Sequence, residues 1–250
     1  MIFQGTNPIF NMGSLSNIHN HILPEVDDGA DDFKEALQML KLEYQDGVRT
    51  VILTPHYRKG MFECPSERIL RKYEQLVKEA KDRWKDLTVV LGCEFHANMD
   101  MVQTLEEHEQ MTMGKSRCVL TEFSEQSEFL FIQERCYALL SNGYEPIIAH
   151  AERYRALYNH FDRIEQLVEM GVYIQMNAAS IIGKDGFGMK WFCRKIMKQN
   201  LLHFVGDDAH NLDDRKPCMG KCAVYMKKIM GEDYAERILI ANPKELIMED

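Results

Sequence analysis

The sequence predicts an α/β fold of parallel strands alternating with helices, with a polar cluster gathered at the strands' C-terminal ends. Three observations predict it. Short β-branched or apolar runs alternate with segments of helical periodicity. The runs recur at roughly 30 residues, the length of one βα unit. Each run also ends on a polar side chain. Strand–helix alternation implies right-handed βαβ units and a parallel sheet, open or closed into a barrel.

The first strand leads into "NIHNHILPEVDDG", residues 17–29. Residues i and i+2 of a strand point to one side, so His19 and His21 converge. Asp28 follows, and Gly29 lets the loop fold that carboxylate back over the histidines. Asp27 competes with Asp28 and is also placed to cap the helix that begins near residue 31. In "DDFKEALQMLKLEYQDG", Phe33, Leu37, Leu40 and Tyr44 form an apolar stripe, with Gly47 as the C-cap. "RTVILTPH" is the second strand. "SERILRKYEQLVKEAKDRW" is the second helix, with Ile69, Leu70, Tyr73, Leu76, Val77, Ala80 and Trp84 at helical spacing and Ser66 as N-cap. "LTVVLGCE", "RCVLTEF", "YEPIIAHAER", "GVYIQMN" and "LLHFVGDDAH" are the later strands, and "FDRIEQLVEMGV" is a helix between two of them.

The polar strand ends are His19/His21, His56, Glu94, Glu122, His150, Asn177 and Asp208/His210. From His19 the intervals are 37, 38, 28, 28, 27 and 31 residues. Seven consecutive units thus each deliver a polar residue to the C-terminal face, where (β/α) barrels build their sites. Eight of these side chains, together with Asp28, are candidate metal ligands: His19, His21, Asp28, His56, Glu94, Glu122, His150, Asp208 and His210. Asp208 is preferred to Asp207 because it lies two residues from His210. Imidazole and carboxylate without thiolate suit divalent Mn, Fe, Zn or Mg. One ion uses about three or four protein ligands, so nine imply two or three ions. Such a centre would bind phosphate and activate a water for in-line attack. His96, His108, His160 and His203 read as ordinary structural histidines, and the sixteen methionines as core filler.

The rest of the composition narrows the class. The 250 residues are 45% hydrophobic, enough for a sizeable core. A net charge of −9 argues against nucleic-acid binding, which needs a basic stripe. Seven cysteines with no CxxC pair fit a reduced cytoplasm. No apolar run approaches the length of a membrane span, so no membrane insertion is expected. "MIFQGTNPIFNMGSLS", residues 1–16, makes a poor signal peptide; it reads as a flexible leader, compatible with sequence added for expression. One domain over residues 17–250 is the simplest parse.

At this point the chain resembles a known family. The segments "IHNHILPEVDDG", "GVRTVILTPHYRKGMF", "GCEF", "LTEFS", "IIAHAERY", "DAHNLDDR" and "ANPKELI" look like the PHP (polymerase and histidinol phosphatase) superfamily. They are most similar to its manganese-dependent protein-tyrosine phosphatases from bacterial capsule and exopolysaccharide operons. The resemblance implies a distorted (β/α)7 TIM-like barrel with a trinuclear centre, Mn being the first expectation. It maps metal ligation onto the same nine residues and gives Arg153 and Arg215 phosphate-facing roles. It implies a cytoplasmic enzyme acting by metal-hydroxide attack on the phosphotyrosine tail of a bacterial tyrosine kinase. Association into a homo-oligomer is left open. One departure is visible: Asn17 stands where the family's D-I-H-x-H motif has Asp. Strand alternation puts Asn17 behind the ligands, where an amide still hydrogen-bonds but lacks the negative charge that supports metal affinity.

Substrate choice rests on "HYRKGMF", residues 56–62, where Arg58, Lys59 and Phe62 could offer basic groups and an aromatic wall. The alternatives are a small-molecule phosphomonoesterase, such as a histidinol-phosphate phosphatase, and a catalytically weak metal-binding regulator. No cysteine fits the His-Cys-x₅-Arg loop of thiol-dependent phosphatases, and alternation turns Cys93 away from its neighbour Glu94. Hydrolysis should therefore survive iodoacetamide and be abolished by EDTA, and His150→Ala should lose most activity while keeping its fold. Inactivation by the alkylating agent together with indifference to the chelator would contradict the metal reading.

Overall fold

The computed structural model describes residues 15–108 and 111–247. The first half runs β1 (Leu15–Asn17), α1 (Phe33–Gln45), β2 (Val48–Leu53), β3 (His56–Tyr57), α2 (Ser66–Arg83), β4 (Thr88–Leu91), β5 (Glu94–His96) and α3 (Met101–Glu107). It continues β6 (Cys118–Glu122), α4 (Phe129–Ser141), β7 (Glu145–Ile148), α5 (Phe161–Glu169), β8 (Tyr173–Asn177), α6 (Ala178–Ile182), α7 (Phe187–Lys198) and β9 (Phe204–Gly206). Helices α8 (Met219–Met230), α9 (Glu232–Glu236) and α10 (Asn242–Glu245) end the described chain.

Among the described residues these strands pair in parallel, in the orders β1–β2–β4 and β3–β5–β6–β7–β8–β9. β2 and β3 are one strand broken at Pro55, which has no N–H to give the ladder. β4 and β5 are likewise one strand broken at Gly92–Cys93. Hydrogen bonds carry the two broken strands past each other: Gly92 N–H donates to Leu53 O at 2.8 Å and Glu94 N–H to Pro55 O at 3.1 Å. The two ends of the sheet also meet. Asn20 bridges Ala209, Asp208 N–H donates to His19 O at 2.8 Å, and His21 N–H donates to Ala209 O at 2.8 Å. The result is a seven-stranded barrel, distorted at β1, whose pairing slips between Leu15 and Ser16.

Period-two alternation fills this barrel from bottom to top. Ile52, Val90, Leu120, Ile147, Tyr173 and Phe204 pack together inside it with Met113 and Leu246. Two or four residues further along the same strands come Thr54 and His56, Gly92 and Glu94, Glu122, Gln175 and Asn177, and Gly206 and Asp208. The opposite parity, including Val51, Leu53, Val89, Ile148, Ile174 and Val205, packs outward against the helices in the larger core. A dry floor and a polar mouth therefore follow from one repeating pattern.

Local expectations fare differently. The α1 stripe packs on the core as predicted, with Leu40 fully buried. Its N-cap is Asp32, whose Oδ1 accepts from Glu35 N–H at 2.8 Å, so Asp27 is free for another task. Ser66 is the first residue of α2 rather than its cap; Pro65 holds the cap position with extended backbone. The leader expected over residues 1–16 lies outside the described residues through residue 14. Leu15 and Ser16 are buried in β1, so the described fold starts two residues before that boundary. No helix among the described residues is long and apolar enough to cross a membrane.

Gly206 sits where the seam is tightest. A Cβ there would lie 2.3 Å from His19 Cβ and 2.9 Å from its backbone N. Gly206→Ala should therefore cost about 1–3 kcal/mol by forcing β9 off the His19 segment, and lower metal affinity with it. Thermal melts and metal titration of the variant check this; a parent-like melting temperature would show that the seam yields freely.

Candidate metal centre

The nine predicted ligands meet in one place. Glu94 is fully buried, and four imidazoles surround it. Its Oε2 lies 3.2 Å from His19 Nε2, 3.2 Å from His21 Nε2 and 3.0 Å from His56 Nδ1, and its Oε1 lies 2.9 Å from His150 Nε2. Asp208 Oδ1 lies 3.6 and 3.5 Å from the Nε2 atoms of His19 and His21. Asp28 Oδ1 lies 3.5 Å from His56 Nε2 and 3.6 Å from His210 Nε2. Glu122 stands 3.9 Å from both His56 and His150. Two backbone devices deliver these groups. His150 and Asp208 both adopt positive φ, 32° and 53°, a strained conformation that for His150 turns inward a side chain that alternation would point outward. Gly29 has no left-handed backbone to explain it; what requires glycine is proximity, since a Cβ there would lie 2.0 Å from His21 O.

The histidines are held by their far nitrogens. His21 Nδ1 donates to Asp27 Oδ2 at 2.8 Å, His19 Nδ1 to Gln175 Oε1 at 3.1 Å, and His210 Nδ1 to the Asp208 carbonyl at 2.9 Å. Tyr154 OH accepts from Phe123 N–H at 3.0 Å and lies 3.1 Å from His150 Nδ1. Gln175 Oε1 also accepts from His150 N–H at 2.6 Å, and Asp27 Oδ2 from His56 N–H at 2.9 Å. Sequence reasoning missed Gln175 and Tyr154, and left Asp27 between a rival of Asp28 and a helix cap. For Gln175 the signal was available: it lies two residues before Asn177 on the inward face.

Whether these residues fit metal is answered by their unpartnered atoms. The Nε2 atoms of His19, His21 and His210, Nδ1 of His56 and Oε2 of Glu94 are all buried with no hydrogen-bond partner. Unsatisfied buried polar atoms are costly, and here all lie at one focus. Three overlapping groups have ligand atoms mutually within 4.8 Å: His19, His21 and Glu94; His56, Glu94 and Glu122; and His21, Asp28, His56 and His210. The donor set fits divalent ions, with a carboxylate and two carbonyls locking the rings of His21, His19 and His210 from behind. The electrostatics agree. Burial would push Glu94 and Asp208 up, but His19 beside both holds them well below the usual carboxylate range. Burial and the Glu94 charge push Glu122 up to about 8, and burial with the neighbouring His21 pushes His56 down to about 4.

Above the ligands opens a cleft of about 280 Å3, lined also by Arg58, Met61, Phe62, Arg153 and Arg215. Both predicted arginines reach Asp208: Arg153 Nη1 donates to Oδ2 at 2.7 Å and Arg215 Nη2 to Oδ1 at 3.0 Å. Phe62 stacks on His56 with ring centres 5.0 Å apart, and a tight turn ties Phe62 N–H to Arg58 O at 2.8 Å. Lys59 is not brought to the cleft; its ammonium pairs with Asp100 Oδ2 at 2.9 Å. Asn17 lies behind the ligands as expected. Its amide donates to Glu43 Oε1 at 2.7 Å and Asp207 Oδ1 at 2.8 Å, while its Oδ1 accepts from His19 N–H at 3.2 Å. The seven cysteines are free thiols; burial pushes Cys93 far up, and Cys118 and Cys136 up to about 12.

Comparison with known proteins places this site. Residues 15–248 match the family model described as capsular polysaccharide synthesis, CpsB/CapC. The chain belongs to this family. It is 37% identical over 240 residues to the tyrosine-protein phosphatase CpsB of Streptococcus pneumoniae, covering 94% of this chain and 99% of the relative. It is 30% identical over 219 residues to the tyrosine-protein phosphatase YwqE of Bacillus subtilis, covering 88% of this chain and 86% of the relative. Among solved structures, it matches one described with YwqE from Bacillus subtilis and CpsB from Streptococcus pneumoniae as unique metal-dependent tyrosine phosphatases. That match has a TM-score of 0.85 at 29% identity and covers 93% of this chain and 94% of the other. A phosphotriesterase homology protein from Escherichia coli shares the barrel alone, with a TM-score of 0.60 at 12% identity over 94% and 99% of the two chains.

The CpsB/CapC site should hold at least about two divalent ions per chain, since its donors exceed what one ion can use. Loading at neutral pH should release protons, because Glu122, pushed up to about 8, must ionise to ligate, and His21, raised against its burial by the Asp27 charge, must free its Nε2. Elemental analysis of protein purified without chelator reads the first, and calorimetry in buffers of different ionisation enthalpy reads the second. One ion or fewer after incubation with excess Mn would rule out the multinuclear site.

Proposed function

We propose that this chain is a metal-dependent protein-tyrosine phosphatase, a single catalytic domain whose described fold begins at Leu15. The observation that carries the reading is the inward set of nitrogens. His19, His21 and His210 each spend Nδ1 on a buried acceptor and turn an unpartnered Nε2 to the same focus as Glu94 and Asp208. The nine ligands would hold two or three ions, Mn foremost. When bound, these would neutralise phosphoryl charge and make water a competent nucleophile near neutral pH.

The chain's own residues do the rest. Arg153 and Arg215 stand at the cleft with side chains one-third to two-fifths exposed, 34% and 39%, so their guanidinium groups can exchange Asp208 for phosphoryl oxygens. A planar fork matches those oxygens in a way an ammonium cannot. Met61, Phe62 and Arg58 form one wall of the mouth, suited to a phenyl ring and its flanking backbone. With every cysteine in or near the barrel walls held as a neutral thiol, no thiolate competes as nucleophile. Membership of the CpsB/CapC family supports a phosphotyrosine-bearing tyrosine kinase of capsule synthesis as the partner, met in the cytoplasm.

Arg153→Lys and Arg215→Lys should each bind metal and melt as the parent does, yet lose roughly 10²–10³ in kcat on a phosphotyrosine peptide, the usual effect of one preorganised donor. Steady-state kinetics with metal content checked in the same samples decides this. Parent-like kcat and KM in both would leave phosphate orientation to the metals. Faster turnover of histidinol phosphate than of the peptide would move the assignment to a small-molecule phosphatase.

A further inference from the structure

Helices α7 and α8 both pack on α6 at the outside of the barrel, and Lys190 Nζ of α7 reaches to 4.4 Å from the ring centre of Tyr225 on α8. α7 carries Lys190, Arg194, Lys195 and Lys198, and α8 carries Lys221, Lys227 and Lys228. Neither helix has an Asp or Glu, in a chain with 39 of them and a net charge of −9. Among the described residues Lys227 pairs with Glu232 at the start of α9, and Lys221 lies near Asp46 at the end of α1. Large apolar side chains protrude among these charges. Phe187 is 92% exposed, Trp191 52% and Val224 43%. Lys195 Nζ lies 4.4 Å from the Trp191 ring centre, placing ammonium and indole together at the surface. The neighbouring α5 carries Asp162, Glu165 and Glu169, so the basic face has a sharp acidic border.

We propose that the α7–α8 face is a peripheral docking surface for an anionic lipid bilayer. The charge complementarity is direct: a carboxylate-free pair of helices on an otherwise acidic protein faces a surface of phosphate headgroups. The protruding Phe and Trp supply the second half of that chemistry, because aromatic rings beside Lys and Arg settle at the headgroup level. An acidic peptide would need a groove, and the outer helices of a barrel present a convex surface. A nucleic acid would use the cations and leave Phe187 and Val224 without a role. The protein would lie on the bilayer without spanning it. Phe187 begins α7, and helices of a βα barrel begin at its catalytic end. The docked chain would therefore hold its cleft mouth close to the lipid surface, within reach of substrate held there.

Co-sedimentation of the full chain with vesicles tests this independently of phosphatase activity. Vesicles of equal parts phosphatidylglycerol and phosphatidylcholine should pull the protein down, pure phosphatidylcholine should not, and added salt should weaken the binding. The variant R194Q/K198Q/K221Q/K228Q should lower the partition coefficient by about a hundredfold or more. Separately, F187S/W191S should lower it by about tenfold or more. Both sets lie on the exposed face, and circular dichroism melts at the parent temperature would show the folds intact. Equal binding to both vesicle types, no binding to the anionic ones, or binding that survives both sets of substitutions overturns the proposal. So does capture by an acidic peptide or an RNA oligomer without vesicle binding.

Discussion

One carboxylate with no exposure, Glu94, has a nitrogen from each of four imidazoles within 3.2 Å. An isolated charge so deep would cost several kcal/mol even after relaxation. The interior of the barrel is built around meeting that cost. His19 and His21 come from the β1 end, His56 from the β2–β3 strand and His150 from the end of β7, so the charge is answered by elements spread around the barrel. Removing any one strand end would leave the remainder mismatched, which ties closure of the barrel to assembly of the site.

The imidazoles in turn are oriented from behind. Asp27, Gln175 and the Asp208 carbonyl each take an Nδ1 proton, and Tyr154 lies against the Nδ1 of His150. This fixes the tautomer and aims the other nitrogen inward. Asp208 works twice, accepting from both arginines while facing His19 and His21. The arginines are thereby stretched across the mouth before any phosphate arrives.

Much of this was legible in the sequence because two periods coincide. The strand ends recur with the length of a βα unit, and i, i+2 spacing puts Glu122, His56 and Asp208 on the inward face. What was illegible depended on approach rather than pattern. Asp27 and Asp28 are adjacent, and only the close pass of Gly29 by His21 decides which one reaches the rings from the side and which from above. Tyr154 serves His150 from beyond a 3₁₀ turn, where no strand parity applies. Lys59 is drawn off by Asp100, 41 residues away, a pairing that local reading cannot see. Pro55 broke a strand into two ladders without disturbing the barrel, since the inward parity runs on from Ile52 through Thr54 to His56.

The Asn17 amide sits between the carboxylates of Glu43 and Asp207, donating one proton to each and bridging the seam between the β1 and β9 segments. An aspartate of the same shape would bring a third carboxylate to that point and could donate to neither. Burial and the Asp207 charge already push Glu43 well above the usual carboxylate range. Positions 17 and 43 are therefore bound by epistasis. A change at Asn17 that removes its donors would leave Glu43 and Asp207 facing each other without the amide between them, and would raise the demand on Glu43 to keep its proton.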